Sequence, residues 1–224
     1  INSTKTSSYY GYGENGETRN VPTSLTVANV GKYTAEYTEA GALASQTAPG
    51  GVSQTFEYDS AGRIKNMSYL GTVDNAGTSV TVDWMDFTRN YDAQNRVVTE
   101  TTAPVFPATE NDTVYNYSYD SNSRLKNVDQ IDNTACINRA YVFDASGNRT
   151  SKTTKLMASA GLVCDTNSPV ELSTTENLTY NSYSQLTNTG YLYDVFGRAT
   201  AVPSVHTANN LGDVVFGYSP EDRI

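Results

Sequence analysis

Histidine and tryptophan each occur once in this 224-residue sequence and cysteine only twice. A metal site of imidazole and thiolate type fails on ligand number, because His206, Cys136 and Cys164 cannot complete a tetrahedral shell without carboxylates. A hydrolytic triad would rest on His206 alone, with no G-x-S-x-G elbow beside it, so a loop histidine is the expectation. Asp-rich loops leave calcium open, but no EF-hand spacing occurs. Neither a catalytic residue, a cofactor site nor a metal site is assigned.

Long apolar runs are also missing. No window approaches the roughly 18 apolar residues that a membrane-spanning helix needs. Residues Ile1 to Tyr10 lack the basic and apolar halves of a signal peptide. The sequence has no initiator Met and stops in mid-pattern at Ile224, so it reads as an excerpt whose export signal lies upstream. Positive charge is in deficit, with 15 Lys and Arg against 24 Asp and Glu and a net charge of -9. A polyanion would be repelled, which removes nucleic acid as a partner.

What is abundant is tyrosine, with 17 copies, amid many Thr, Ser, Asn and Gly. Aromatic and β-branched side chains suit a pleated, half-buried surface, so the composition favours β-structure. Tyrosine rings can be buried while their hydroxyls keep a polar partner.

The tyrosines are not scattered. Aligned on an aromatic residue, then Asp, a turn and Arg, the chain shows anchors at Tyr12, Tyr37, Tyr58, Tyr91, Tyr119, Phe143, Tyr180, Tyr193 and Tyr218. The clearest copies read YDSAGRI, YDAQNRV, YDSNSRL and YDVFGRA. Asp59, Asp92, Asp120, Asp144 and Asp194 follow five of the anchors. Four beyond the anchors stand Gly16, Gly41, Gly62, Asn95, Ser123, Gly147, Ser184, Gly197 and Asp222, all turn-forming types.

Large apolar residues two before the anchor, such as Tyr10, Phe56, Tyr117, Tyr141 and Tyr191, alternate at the period of a strand. The anchor should end that strand, and Asp or Asn next should fold its side chain back onto the following N–H groups. Gly or Asn then supplies the left-handed conformation of a tight hairpin. Ile64, Val97, Leu125 and Leu186 should begin the returning strand. The expectation is an all-β run of antiparallel hairpins over residues 1–224 with no internal domain boundary. Stretches such as Thr101 to Asp112 and Ala158 to Thr175 read as hairpin ends or loops.

Tyr-Asp, a short turn usually ending in Gly, then Arg and an aliphatic residue resembles the YD repeat of bacterial Rhs and wall-associated proteins. Insecticidal toxin complexes and teneurins carry the same repeat. Tyr141 to Thr150 (YVFDASGNRT) and Tyr191 to Thr200 (YLYDVFGRAT) resemble Rhs cores most. The resemblance implies a secreted or cell-surface structural protein of bacterial origin, a curved, spiralling sheet that closes into a shell. Its partners would be neighbouring repeats and an enclosed C-terminal toxin domain. The copies at Tyr12, Tyr37, Tyr180 and Tyr218 depart from the pattern by lacking Asp. No shell-closing segment or toxin domain is recognisable in the sequence, so encapsulation rests on analogy.

The recurring Asp and Arg, as in Asp59 with Arg63, Asp92 with Arg96, Asp120 with Arg124 and Asp194 with Arg198, invite comparison with glycosidase or sugar-binding carboxylates. A catalytic pair occurs once per site, whereas this pair recurs with the fold, so a turn cap with a cross-hairpin ion pair is expected. The alternative function is a surface adhesin or carbohydrate-binding module whose exposed tyrosines contact glycans.

Cys136 and Cys164 flank the hairpin that turns near Ser146 and form a candidate disulfide, which suits an exported protein. Counting back from that turn places Cys136 opposite a residue near Met157, so the bond needs a bent or bulged arm. Six sequons, at Asn2, Asn66, Asn111, Asn116, Asn148 and Asn177, are about what so Asn-, Ser- and Thr-rich a chain yields by chance.

Overall fold

The computed structural model describes residues 8–75, 78–105, 112–132, 134–161, 163–208, 211–221 and 223. The sequons at Asn2 and Asn111, the turn position Asp222 and most of Ile1 to Tyr10 lie outside them.

Alternating aromatic and polar residues form strands that end where the anchors predict. Strands β1 (Ser8–Tyr12), β3 (Gly31–Tyr37), β5 (Ser53–Tyr58), β7 (Thr78–Tyr91), β9 (Thr113–Tyr119) and β11 (Ala135–Phe143) each close on an anchor. The returning strands are β2 (Pro22–Val27), β4 (Leu43–Thr47), β6 (Ile64–Asn75), β8 (Val97–Pro104), β10 (Leu125–Ile131) and β12 (Arg149–Ala158). With β13 (Leu172–Asn177) they form one thirteen-stranded antiparallel sheet in which every strand pairs with its neighbours in sequence. Strands β14 (Leu192–Tyr193), β15 (Ala199–Val202) and β16 (Val214–Val215) form a second sheet of three. Strand order from β1 to β13 does not return on itself, so the larger sheet is open.

Each anchor that ends a strand pairs with the first residue of its returning strand just after a register shift, as in Tyr58 with Ile64, Tyr91 with Val97 and Tyr119 with Leu125. The shift lets a five-residue turn fit between two strands. The four aromatic–Asp turns of the larger sheet, at Asp59, Asp92, Asp120 and Asp144, therefore fall on one edge, each two strands from the next, and the Asp194 turn belongs to the second sheet.

One face carries the aromatic stripe. Phe56 stands opposite Met67, Met67 opposite Phe87, and the Tyr69 and Phe87 rings meet edge-on at 6.0 Å. Gly71 lies under the indole of Trp84, where a Cβ would collide with the ring. Asn, Thr and Ser dominate the other face, which holds the small cluster of Ile131, Cys136 and Met157 with Cys164 against it.

That cluster is little core for such a chain, and the accessible surface is 14,620 Å². A compact chain of 24.3 kDa exposes about 10,000 Å². The excess is the uncovered area of a single-layer sheet, whose stability comes from strand-to-strand and turn-to-turn contacts. No helix among the described residues is long and apolar enough to cross a membrane.

Candidate functional site

The side chains that recur with the fold meet along the turn edge. In the first clear copy the Asp59 N–H donates to the Arg63 carbonyl at 2.9 Å and the Gly62 N–H to the Asp59 carbonyl at 3.0 Å. Oδ1 of Asp59 accepts the N–H groups of Ala61 and Arg63, at 2.9 and 3.0 Å. Oδ2 takes the Arg63 guanidinium through Nε at 2.7 Å and Nη2 at 2.6 Å. Gly62 has φ +77°, and Asn95 and Ser123 fill the same position at +64° and +61°.

Asp92 with Arg96, Asp120 with Arg124 and Asp194 with Arg198 repeat the clasp, each with Nε to Oδ2 at 2.7 Å. In the fourth copy Asn148 replaces Arg, and its Nδ2 donates to Asp144 Oδ2 at 2.9 Å beside Gly147. The carboxylates thus have their oxygens committed to turn N–H groups and to guanidinium or amide donors, an arrangement that caps turns.

Three anchors without Asp keep the same geometry, and after Tyr218 the Ser219 N–H donates to the Arg223 carbonyl at 2.8 Å while its Oγ accepts the N–H groups of Glu221 and Arg223. After Tyr180, Asn181 Oδ1 accepts the N–H groups of Tyr183 and Gln185, and its Nδ2 donates to Gln185 Oε1 at 2.6 Å. After Tyr37, the Thr38 hydroxyl accepts the Ala42 N–H at 3.1 Å. At Tyr12 the chain differs, passing through Gly13 at φ +71° into a single 3₁₀ turn, Glu14–Gly16.

Sequence inspection missed what joins one turn to the next. The Arg63 guanidinium sits 4.5 Å from the Tyr91 ring centroid and donates to Asn95 Oδ1 at 2.7 Å. Arg96 covers Tyr119 at 4.5 Å and reaches Ser123 Oγ, and Arg124 covers Phe143 at 4.8 Å and reaches the Asp144 carbonyl. Asn148 continues the series to Ser184, Gln185 to the Gly197 carbonyl, and Arg198 to the Tyr218 ring at 4.5 Å. Each guanidinium therefore serves two turns, its own carboxylate and the next anchor.

Anchor hydroxyls add a second link. Tyr58 donates to the Leu43 carbonyl, Tyr91 to Ile64, Tyr119 to Val97, Tyr180 to Arg149 and Tyr218 to Ala199, at 2.7 to 3.1 Å. Every acceptor is the residue six beyond the preceding anchor, the first of that repeat's returning strand. Phe143 lacks the hydroxyl, so its acceptor by the same rule, the Leu125 carbonyl, goes without this bond. Phe143→Tyr should therefore raise stability by about 1 kcal/mol in urea unfolding; an unchanged or lowered midpoint would contradict the rule.

The turn acids titrate low. Arg63 lowers Asp59 by its side-chain and backbone hydrogen bonds, the backbone N–H of Arg96 and Arg124 leads for Asp92 and Asp120, and the Asn148 amide leads for Asp144. For Asp194 desolvation pushes upward, but the bonds from Arg198 outweigh it. Folded values below the ordinary 3.8 mean that the unfolded chain takes up protons first. The stability these groups contribute is complete above that value and is lost as pH falls through the lower folded ones. Stability should accordingly drop below about pH 4, and changing all five acids to Asn should flatten the profile, as read by circular dichroism. A wild-type midpoint that holds to pH 2 would refute this.

His206 is placed at the junction of the two sheets, in the 3₁₀ turn Ser204–His206. Its Nε2 lies 3.1 Å from Glu176 Oε1 and its Nδ1 2.7 Å from the Tyr191 hydroxyl. The imidazole thus bridges the Glu176 carboxylate and the Tyr191 hydroxyl. Arg149 holds the other Glu176 oxygen at 3.1 Å. Burial pushes the Tyr191 hydroxyl up in pKa.

Cys136 and Cys164 are joined in a disulfide with Cα atoms 5.3 Å apart. Cys136 does stand opposite Met157 in the ladder. No bulge in the arm is needed, because the chain reverses beyond β12, with Ala160 N–H on the Val163 carbonyl and Ser159 bridged to Cys164. That reversal returns Cys164 to Cys136.

A repeating clasp of this kind, on an open antiparallel sheet, defines a β-hairpin-repeat fold. The RHS Repeat family model matches residues 37–79, so the chain carries an RHS repeat. No curated protein matches in sequence. Among solved structures, TcdB2-TccC3 aligns with a TM-score of 0.47 and 13% identity over 90% of this chain and 12% of that one. TcdB2-TccC3-Cdc42 aligns at 0.32 and 14%, over 87% and 13%. The Photorhabdus luminescens Tc holotoxin pore with mutant TccC3 aligns at 0.26 and 14%, over 88% and 13%. The chain thus spans about an eighth of the length of the chains it aligns with.

Proposed function

We propose that this chain is a non-enzymatic wall segment of a secreted bacterial Rhs-type shell, one run of YD hairpins that helps enclose a toxin domain. The observation that carries the reading is the turn edge, where arginines and anchor hydroxyls fasten each hairpin to the next. Such links bear on assembly, and they commit the five turn carboxylates to capping. The RHS repeat at residues 37–79 supports the same reading. Among the described residues the outer strands β1 and β13 have no partner on their far sides, which suits continuation of the sheet by further repeats. The disulfide fits an oxidising location, secreted or at the cell surface.

The test is protease protection. The gene product containing this segment is digested natively, both intact and with Arg63, Arg96 and Arg124 changed to Met. A shell gives a resistant C-terminal fragment in the first and its degradation in the second. A C-terminal region digested freely in the intact protein overturns the proposal.

A second reading, an adhesin that contacts surface glycans, draws on the turn tips, where Tyr183 is 83% and Phe196 79% exposed. A glycan array decides it: specific binding that Tyr183→Ala removes would favour the adhesin, and a blank array would end it.

A further inference from the structure

Beneath the reversal that follows β12, one carboxylate shares the polar face with the disulfide. Asp129 on β10, Cys136 on β11 and Cys164 bring a carboxylate oxygen and two sulfurs within 4.8 Å of one another. Cys136 is fully buried, and Asp129 and Cys164 are partly so. The carboxylate is held in place: Asp129 Oδ1 accepts the Asn138 amide at 2.6 Å and the Asn127 amide at 3.2 Å. Asn138 also donates to Asn127 Oδ1 at 3.0 Å, so the two amides brace each other.

The shortage of histidine excludes an imidazole site, but the fold supplies the carboxylate that two cysteines lack. We infer that reducing Cys136–Cys164 converts this corner into a site for a thiophilic divalent cation such as zinc or cadmium, ligated by Cys136 Sγ, Cys164 Sγ and Asp129. Two equivalents of a low-molecular-weight thiol reduce the disulfide, form a disulfide of their own and leave a proton on each protein sulfur. The cation displaces both protons and gains two metal–sulfur bonds and one metal–oxygen bond, with water in the fourth position.

Geometry and charge both favour the exchange. Tetrahedral thiolates at about 2.3 Å from zinc stand roughly 3.8 Å apart, so once the disulfide is broken the two sulfurs need only draw apart within a corner whose three ligand atoms lie within 4.8 Å of one another. Two thiolates and a carboxylate in a half-buried corner repel one another unless a cation lies between them. The amides of Asn127 and Asn138 are the outer hydrogen bonds that orient a ligating carboxylate. In an oxidising medium the disulfide closes the corner, and in a reducing one the cation would take its place.

The test uses the whole 224-residue chain, reduced with a phosphine, freed of reductant under argon and titrated with cadmium while thiolate-to-metal absorption is followed. One saturable equivalent is expected for the reduced chain and none for the oxidised chain. Asp129→Asn should keep the absorption but weaken binding at least tenfold, and Cys136→Ala with Cys164→Ala should abolish it. Should reduction unfold the sheet, circular dichroism reads the same question, since cadmium should then refold the wild type and not Asp129→Asn. Absence of a saturable equivalent in the reduced wild type, or equal affinity in Asp129→Asn, overturns the site.

Discussion

Changing Cys136 and Cys164 together to alanine is expected to lower the unfolding free energy by about 3–4 kcal/mol. The crosslink closes a loop 28 residues long, and removing the loop-closure restriction on the unfolded chain costs about 3.6 kcal/mol at that length. The effect should be large here because little else is buried: the cluster around the bond consists of Ile131, Cys136 and Met157 with Cys164. Urea unfolding of the oxidised wild type against the double variant measures it. A difference below 1 kcal/mol would mean that turn contacts already hold β11, β12 and the reversal in place.

Replacing Tyr58, Tyr91 and Tyr119 together by phenylalanine should cost about 3 kcal/mol, at about 1 kcal/mol for each hydroxyl. Each hydroxyl ties its hairpin to the carbonyl at the start of the preceding returning strand, namely Leu43, Ile64 and Val97. The rings and their contacts with Arg63 and Arg96 stay, so the loss reports the hydroxyl alone. The three sites are two strands apart, near 9.6 Å, and their effects should add within a few tenths of a kcal/mol. Hydrogen exchange should place the loss along the turn edge. Losses confined to one hairpin, or a total under 1 kcal/mol, would show that the hydroxyls do not link the repeats.

The fold was legible in the sequence because its signals are local. Tyr58, Asp59, Gly62 and Ile64 lie within seven residues, and each has a steric or hydrogen-bonding reason for its place in one turn. The hairpin register was legible too, since counting from a known turn sets Cys136 against Met157. The links between hairpins were hidden because they join residues at irregular separations. Arg63 reaches Asn95 across 32 positions, whereas Arg124 reaches Asp144 across 20. Asn181 acts as Asp or Asn after an anchor is expected to act, its Oδ1 accepting the N–H groups of Tyr183 and Gln185, whereas the answering Gln185 side chain has no counterpart in the Asp–Arg pattern. The place of Cys164 depends on a chain reversal after β12 that no strand pattern encodes.

Fastening every hairpin at its turn frees the opposite end. Strands β6 and β7 have 12 and 14 residues where β4 has 5, yet the neighbouring clasps are built alike. At about 3.3 Å per residue, one margin of the sheet runs level like a hem while the other rises and falls by tens of ångströms. Insertions and deletions at the ragged margin would change the height of the fabric without shifting its stitching, a tolerance that suits diversification among related chains.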